Sequence, residues 1–113
     1  VQVAGNTLIT GLGCNKLKAS GNVCVCNNSA EFEKKFREGD IVVASFTDND
    51  MMGKLKDAAG IITETGDRYS HAAIVGMALD IPVIVNAENA TKILKSGTFV
   101  TMDAEQGLVY SGR

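Results

Sequence analysis

The chain has 113 residues, of which 45% are hydrophobic and 21% are charged, and its formal net charge is −2. This composition is that of an ordinary globular protein, so it excludes intrinsic disorder as the expectation and favours one compact domain. The basic residues form no stripe that could follow a phosphate backbone, and no apolar run approaches the roughly 20 residues of a membrane span, so neither nucleic acid nor a membrane is an expected partner.

The first part of the chain alternates short apolar stretches with glycines. Over the first 21 residues this pattern predicts extended segments broken by turns, with no helix. Residues 23–26 are predicted to form a strand. The polar residues that follow supply capping side chains for an amphipathic helix over residues 30–37, with Phe32 and Phe36 on one face.

The middle of the chain continues the alternation of strands and helices. Residues 41–44 predict a second buried strand. Thr47 and Asp48 are then expected to cap a helix that runs to about residue 58. The inward side of that helix is predicted to consist of Met51, Met52 and Leu55.

The remaining elements follow at similar spacing. We predict strands at 61–63, 83–85, 98–102 and 107–110, a polar loop over 64–69, and helices over 70–79 and 89–94. Strands that alternate with helices of this length indicate an α/β fold, with helices packed on a sheet.

The three cysteines are Cys14, Cys24 and Cys26. An odd count without a secretory leader indicates reduced thiols in a cytosolic compartment. Residues 24 and 26 point to the same face if they lie in a strand. Buried structural cysteines are the expected interpretation, and a metal site is the alternative, although only one histidine is present to complete it.

That single histidine, His71, stands at the junction of the polar loop and the predicted helix of residues 70–79. The first N–H groups of a helix lack partners within the helix, and the helix dipole is positive there, so phosphate is favoured at this end. The same dipole disfavours the imidazolium form and leaves a neutral, nucleophilic ring. A hydrogen-bonded structural histidine is the alternative interpretation.

The neighbours of His71 suit an anion site. Gly66 permits a sharp turn close to a ligand, and the hydroxyls of Thr63 and Ser70 are expected to orient the ring or donate to phosphate oxygens. Arg68 is expected to pair with the charge of the phosphate. Two small residues leave space beside the ring, and the helix is expected to be anchored to the sheet by Ile74, Val75 and Leu79.

This segment resembles the signature of the mobile, or swivelling, domain of phosphoenolpyruvate-utilising enzymes, Thr-x-x-Gly-Gly-x-x-Ser-His-x-Ala. The matching residues are Thr63, Gly66, Ser70, His71 and Ala73, followed by an Ile-Pro-Val strand at residues 81–83. Asp67 stands where the signature has its second glycine, and Tyr69 where threonine is usual. The likeness extends over most of the chain. Within this family, the chain most resembles the extra C-terminal domain of bacterial pyruvate kinases of the clostridial and bacillus type.

The resemblance implies a swivelling β/β/α domain over residues 6–113, preceded at residues 1–5 by the tail of a kinase domain. It implies a parent enzyme that transfers phosphate from phosphoenolpyruvate to ADP in glycolysis. That parent is expected to be a cytoplasmic homotetramer that requires Mg²⁺ and K⁺. The domain itself is expected to hold no cofactor, to have the rest of the parent chain as its partner, and not to be catalytic alone.

Three functions remain open from the sequence. The first is an accessory domain of pyruvate kinase, in which the motif at His71 is regulatory, structural or vestigial. The second is a working phosphohistidine carrier of a phosphoenolpyruvate synthase or a pyruvate phosphate dikinase, with His71 as the phosphoacceptor. The third is an interaction module in which His71 is structural.

Overall fold

The computed structural model describes residues 7–47, 51–67 and 69–111, and the predicted tail at residues 1–5 lies outside them. The described residues form eight strands and four helices. In chain order these are β1 Thr7–Thr10, β2 Leu12–Gly13, β3 Lys18–Cys26, α1 Ser29–Lys35, β4 Ile41–Ala44, α2 Met52–Leu55, β5 Gly60–Thr63, α3 His71–Leu79, β6 Val83–Val85, α4 Ala90–Ile93, β7 Phe99–Asp103 and β8 Leu108–Ser111. None of the described helices is long and apolar enough to cross a membrane.

The strands form one mixed sheet in the order β1-β8-β7-β3-β4-β5-β6-β2. The pairings from β3 through β4 and β5 to β6 are parallel. The flanking pairs β3–β7, β7–β8, β1–β8 and β2–β6 are antiparallel. The α/β class with a compact mixed sheet is therefore confirmed.

The central strands are buried on both faces, which explains their continuous apolar sequence. Along β4, alternate side chains enter different core clusters, because successive residues of a strand point to opposite faces. Ile41 and Val43 pack with Leu94, which follows α4. Val42 packs on the other side, where Phe32 of α1 and Val75 of α3 complete the cluster.

The predicted first helix is confirmed, with a small shift. It spans Ser29–Lys35, and the side chain of Asn28 accepts a hydrogen bond from the backbone of Glu31 at 2.8 Å. Phe32 and Phe36 stack on one face, with ring centroids 4.8 Å apart.

The second helix was predicted wrongly in its length and its cap. It covers only Met52–Leu55, and no side chain caps its start. The hydroxyl of Thr47 bonds elsewhere, as described below, and Asp48 lies outside the described residues. The burial predicted for Met51 and Leu55 is confirmed, whereas the side chain of Met52 is not among those described.

Helix α3 reaches the sheet through a different set of residues from the one predicted. Ile74 is 59% exposed, so the expectation that it anchors the helix was wrong. Val75 and Leu79 do pack on the core. Gly76 allows the close approach, because a Cβ there would lie 1.8 Å from a methyl group of Val83 on β6.

The two ends of the sheet are joined by the chain itself. Strands β1 and β2 lie at opposite ends of the strand order but are separated in sequence only by Gly11. The amide of Gly11 donates to the carbonyl of Gly107 at 2.9 Å. A Cβ at position 11 would lie 2.7 Å from both Ile84 and the carbonyl oxygen of Val85, so this crossing requires glycine.

The cysteine pair is buried on one face of β3, as predicted. The sulfur atoms of Cys24 and Cys26 lie 3.5 Å apart. Their hydrogen bond lowers the pKa of Cys24, and the same bond together with burial raises the pKa of Cys26. No group of three His, Cys, Asp or Glu side chains that could hold a metal ion occurs in the part of the chain that the structure describes.

Candidate functional site

The candidate site lies at the carboxyl edge of the parallel strands. Strands β4, β5 and β6 all end at this edge, and the loops that leave them carry polar side chains. Such edges of α/β sheets are the usual place for ligand sites. His71 reaches the same edge because it is the first residue of α3, as predicted.

The imidazole of His71 is held by a residue from a different loop. The hydroxyl oxygen of Thr47, which follows β4, lies 2.7 Å from Nδ1 of His71. Thr47 is only 6% exposed, while His71 is half-buried. This contact fixes the ring by one nitrogen and orients Nε2, the nitrogen that Thr47 does not contact.

A small cavity adjoins the ring. Its volume is about 160 Å³, several times the roughly 30 Å³ that one water molecule occupies in the liquid. The cavity is lined by Phe46, Thr47, Thr63, Thr65, Gly66, Ser70, His71 and Ala72. The imidazole therefore borders an opening at a helix start and is not enclosed in hydrocarbon.

The structure brings three of the predicted supporting residues to this cavity. Thr63 is buried, and its hydroxyl donates to the carbonyl of Thr65 at 2.8 Å, so it shapes the loop. The hydroxyl of Ser70 donates to the carbonyl of Asp67 at 2.8 Å. Gly66 has φ +108°, and a Cβ there would lie 2.8 Å from the hydroxyl of Ser70. Arg68, the fourth predicted residue, lies outside the described residues.

Asp67, the residue that departs from the family signature, has a structural contact. Its carboxylate accepts a hydrogen bond from the backbone N–H of Tyr69 at 2.8 Å, which is an Asx-turn arrangement. The backbone carbonyl of Asp67 accepts from both the amide and the hydroxyl of Ser70. Asp67 thus organises the turn that leads into α3.

Sequence reasoning missed the carboxylate of Glu64, which links its own loop to the loop after β4 and to the start of α4. It accepts hydrogen bonds from the hydroxyl of Ser45 at 2.9 Å and from the hydroxyl and amide of Thr91 at 2.8 and 3.0 Å. Partial burial opposes ionisation, but these donors outweigh it and hold the pKa of Glu64 below its usual value. The partners are 19 and 27 residues away, so no local signal in the sequence could have found them.

Thr47 was missed for a different reason. Its position before an apolar stretch is typical of a helix cap, and the sequence offers no sign that its hydroxyl reaches a histidine 24 residues later. The pairing arises because parallel strands deliver both loops to one edge of the sheet. Together the residues form an oriented imidazole beside a cavity, an arrangement suited to nucleophilic attack on phosphorus.

Comparison with known proteins assigns this arrangement to a family. Residues 36–107 match the family model described as "PEP-utilising enzyme, mobile domain". The chain is 47% identical over 113 residues to a pyruvate kinase of Bacillus licheniformis, covering all of this chain and 19% of that protein. It is 45% identical over 105 residues to a probable phosphoenolpyruvate synthase of Pyrococcus abyssi, covering 93% of this chain and 13% of that protein. The chain therefore spans about a fifth or less of the length of these relatives.

A solved structure supports the fold independently of the site. Aconitase X of Thermococcus kodakaraensis superposes with a TM-score of 0.73 at 20% identity, over 96% of this chain and the whole of that chain. The same scaffold is therefore found in a protein with a different name and low sequence identity. The fold alone does not decide the chemistry, which has to be argued from the residues of the site.

Proposed function

This chain belongs to the family of PEP-utilising enzyme mobile domains, and we propose that it is the C-terminal accessory domain of a pyruvate kinase. The observation that carries the proposal is the 47% identity to the Bacillus licheniformis pyruvate kinase over the full 113 residues. Two further pyruvate kinases match at 45% and 42% identity over 112 residues. The parent would transfer phosphate from phosphoenolpyruvate to ADP as a cytoplasmic homotetramer.

In such a parent, phosphate passes directly from phosphoenolpyruvate to ADP and needs no histidine relay. The domain would then act on the assembly, stability or regulation of the enzyme, and the Mg²⁺ and K⁺ required for transfer would be held by the rest of the parent chain. The bond between Thr47 and His71 and the bond between Ser45 and Glu64 would serve to join the segments at the carboxyl edge of the sheet.

The test compares the complete pyruvate kinase with its His71→Gln variant. We expect kcat for transfer from phosphoenolpyruvate to ADP to change by less than about twofold, because the imidazole is not on the path of the phosphate. Removal of the whole domain is expected to alter thermal stability or the response to effectors. A loss of kcat beyond about tenfold in the His71→Gln enzyme would contradict the accessory role.

The second candidate is a phosphohistidine carrier. It is favoured by the contact of 2.7 Å between Thr47 and His71 and by the 45% identity to a probable phosphoenolpyruvate synthase. In this role a neutral ring nitrogen of His71 would attack phosphorus through its lone pair. A bond from nitrogen to phosphorus would form, the bond from phosphorus to the enol oxygen would break, and the enolate would take up a proton to give pyruvate.

The carrier role has a direct chemical test. The complete protein is incubated with phosphoenolpyruvate labelled in its phosphate, and acid-labile label on His71 is located by mass spectrometry. The His71→Gln variant is the control, and an established phosphohistidine carrier is treated in parallel. Absence of label on His71 under conditions that label the established carrier would rule out the relay.

A further inference from the structure

A second cavity lies at the edge of the sheet opposite to His71. Its volume is about 390 Å³, within the range of about 300–1,000 Å³ that is usual for small-molecule sites. It borders the start of the parallel pairing of β3 with β4, whereas the candidate site follows the end of β4. Its lining, which we term the basic cleft, consists of Asn22, Val23, Cys24, Lys34, Lys35, Arg37, Asp40, Ser96 and Gly97.

Positive charge dominates the basic cleft. Lys34 and Lys35 end α1, Arg37 follows them, and all three are exposed. None of the three forms an ion pair with a carboxylate among residues 7–47, 51–67 and 69–111. The single carboxylate in the lining, that of Asp40, accepts from the backbone amide of Arg37 at 3.1 Å. This excess of positive charge contrasts with the formal charge of −2 of the whole chain.

The rest of the lining suits a ligand with both a charged and an uncharged part. Val23 and Cys24 lie at the floor of the cleft, with 2% and 3% of their surfaces exposed. The hydroxyl oxygen of Ser96 accepts from the amide of Val25 at 2.9 Å, so its own proton can be donated elsewhere. The cleft therefore combines three cations and a hydroxyl donor with an apolar floor of small exposed area.

We propose that the basic cleft binds a small phosphate monoester, with its phosphate among Lys34, Lys35 and Arg37 and its organic part against Val23 and Cys24. A phosphate monoester carries about −1.5 to −2 charges at pH 7. The three cations and the one carboxylate of the cleft together carry a net positive charge that would offset it. The competing explanation is that Lys34 and Lys35 only offset the negative end of the dipole of α1. The two explanations differ in whether a ligand binds.

The test uses the full chain labelled with ¹⁵N and three probes, namely phenyl phosphate, phenyl sulfate and inorganic phosphate. We expect saturable shifts of the amide resonances of Val23, Cys24, Ser96 and Gly97 with phenyl phosphate. Phenyl sulfate, which carries one charge, is expected to bind about tenfold more weakly, and inorganic phosphate to bind more weakly because it lacks the organic part. Equal affinity for the three probes, or shifts spread over the whole surface, would overturn the proposal.

Substitutions separate binding from helix stability. Replacement of Lys34, Lys35 and Arg37 by glutamine is expected to lower the affinity for phenyl phosphate at least about tenfold. A control that replaces the exposed Lys16, Lys56 and Lys92 by glutamine removes the same charge and is expected to bind within about twofold of wild type. If the first variant does not fold, Ser96→Ala tests the same cleft, with an expected loss of about threefold. A loss of stability without a loss of binding would favour the dipole explanation and refute ours.

The basic cleft is independent of the proposed function of the carboxyl edge. The His71→Gln variant is expected to bind phenyl phosphate as wild type does, because His71 is absent from the lining of the cleft. Binding that disappeared in this variant would place the phosphate ester at the His71 cavity and would refute the assignment to the cleft.

Discussion

The side chain of Thr47 joins the end of one parallel strand to the start of α3 through its contact of 2.7 Å with Nδ1 of His71. We expect Thr47→Val, which keeps the shape and removes the hydroxyl, to lower any phosphate incorporation at His71 by about two- to tenfold, since one buried hydrogen bond is worth about 0.5–1.5 kcal/mol. Thr47→Ser keeps the hydroxyl and should retain most incorporation. Acid-labile phosphate, measured by mass spectrometry, checks both, and equal labelling in the two variants would contradict the role of Thr47.

The turn at Gly66 supplies a prediction about stability. Gly66→Ala adds a methyl group 2.8 Å from the hydroxyl of Ser70, at a backbone angle of +108° that alanine rarely adopts. Gly97→Ala is the matched control, because φ is +90° and nothing lies within 4 Å of its Cβ. Both substitutions should lower the free energy of unfolding by about 1 kcal/mol because of the backbone angle. Gly66→Ala should lower it by about 1–2 kcal/mol more because of the contact with Ser70. Urea unfolding measures the difference, and equal losses would mean that the Ser70 contact costs nothing.

Asp67, which departs from the family signature, has two separable effects. It places a negative charge near the candidate site, and its carboxylate holds the turn through the amide of Tyr69. Asp67→Gly removes the negative charge near an incoming phosphate and restores backbone freedom, and it is predicted to increase phosphorylation of His71. It also removes the bond from the amide of Tyr69. Asp67→Asn removes the charge and keeps an oxygen that can accept this bond.

We therefore expect Asp67→Asn to give at least as much label on His71 as Asp67→Gly, at higher stability. Label on the two variants and on wild type is compared after the same incubation with phosphoenolpyruvate. Unchanged or reduced labelling in both variants would show that the aspartate charge is no obstacle.

The close approach of α3 to β6 depends on Gly76. Gly76→Ala places a Cβ 1.8 Å from a methyl group of Val83 and 3.2 Å from the carbonyl of Ile81. Overpacking of this kind typically costs about 1–3 kcal/mol. Ala78→Gly, at an exposed position on the same helix, should cost only about 0.5–1 kcal/mol. Denaturant midpoints of the two variants should differ in this order, and the reverse order would contradict the packing argument.

The carboxylate of Glu64 predicts how stability depends on pH. Its folded pKa lies below the usual value, so it contributes stability above that value, and the contribution is lost as the pH falls through the folded pKa. Glu64→Gln should therefore be less stable than wild type at pH 7, by about 1 kcal/mol after solvent screening. The difference should shrink as the pH falls through the folded pKa of Glu64. A difference that stayed constant from pH 7 to pH 3 would contradict ionised Glu64 as the cause.

The strands of the core could be predicted because burial on both faces requires uninterrupted apolar residues. The runs that became β4, β5 and β6 were all placed correctly in the chain. The order of strands could not be predicted, since the two-residue strand β2 pairs with residues of β6 more than seventy positions away. A pairing that short leaves no periodic pattern in the sequence.

The same contrast holds for the site and its helix. The position of His71 at a helix start follows from the local sequence pattern, and the structure agrees, although the hydroxyl of Ser70 donates to Asp67 and does not cap the helix. Its contact with Thr47 depends on two parallel strands ending together, which a linear pattern does not encode. Ile74 was misplaced because an apolar side chain counts as inward in a pattern, whereas the sheet accepts Gly76, which has no side chain.

The link through Gly11 has a mechanical consequence. Strands β1 and β2 are the two outermost strands of the sheet. A force applied along the chain at Thr7 would therefore act first on the hydrogen bonds between β1 and β8, in shear. Only after that pair had slipped would the load reach β2 and peel it from β6. The β1–β8 pair would therefore separate before force applied at this end of the chain reached the edge of the sheet where His71 lies.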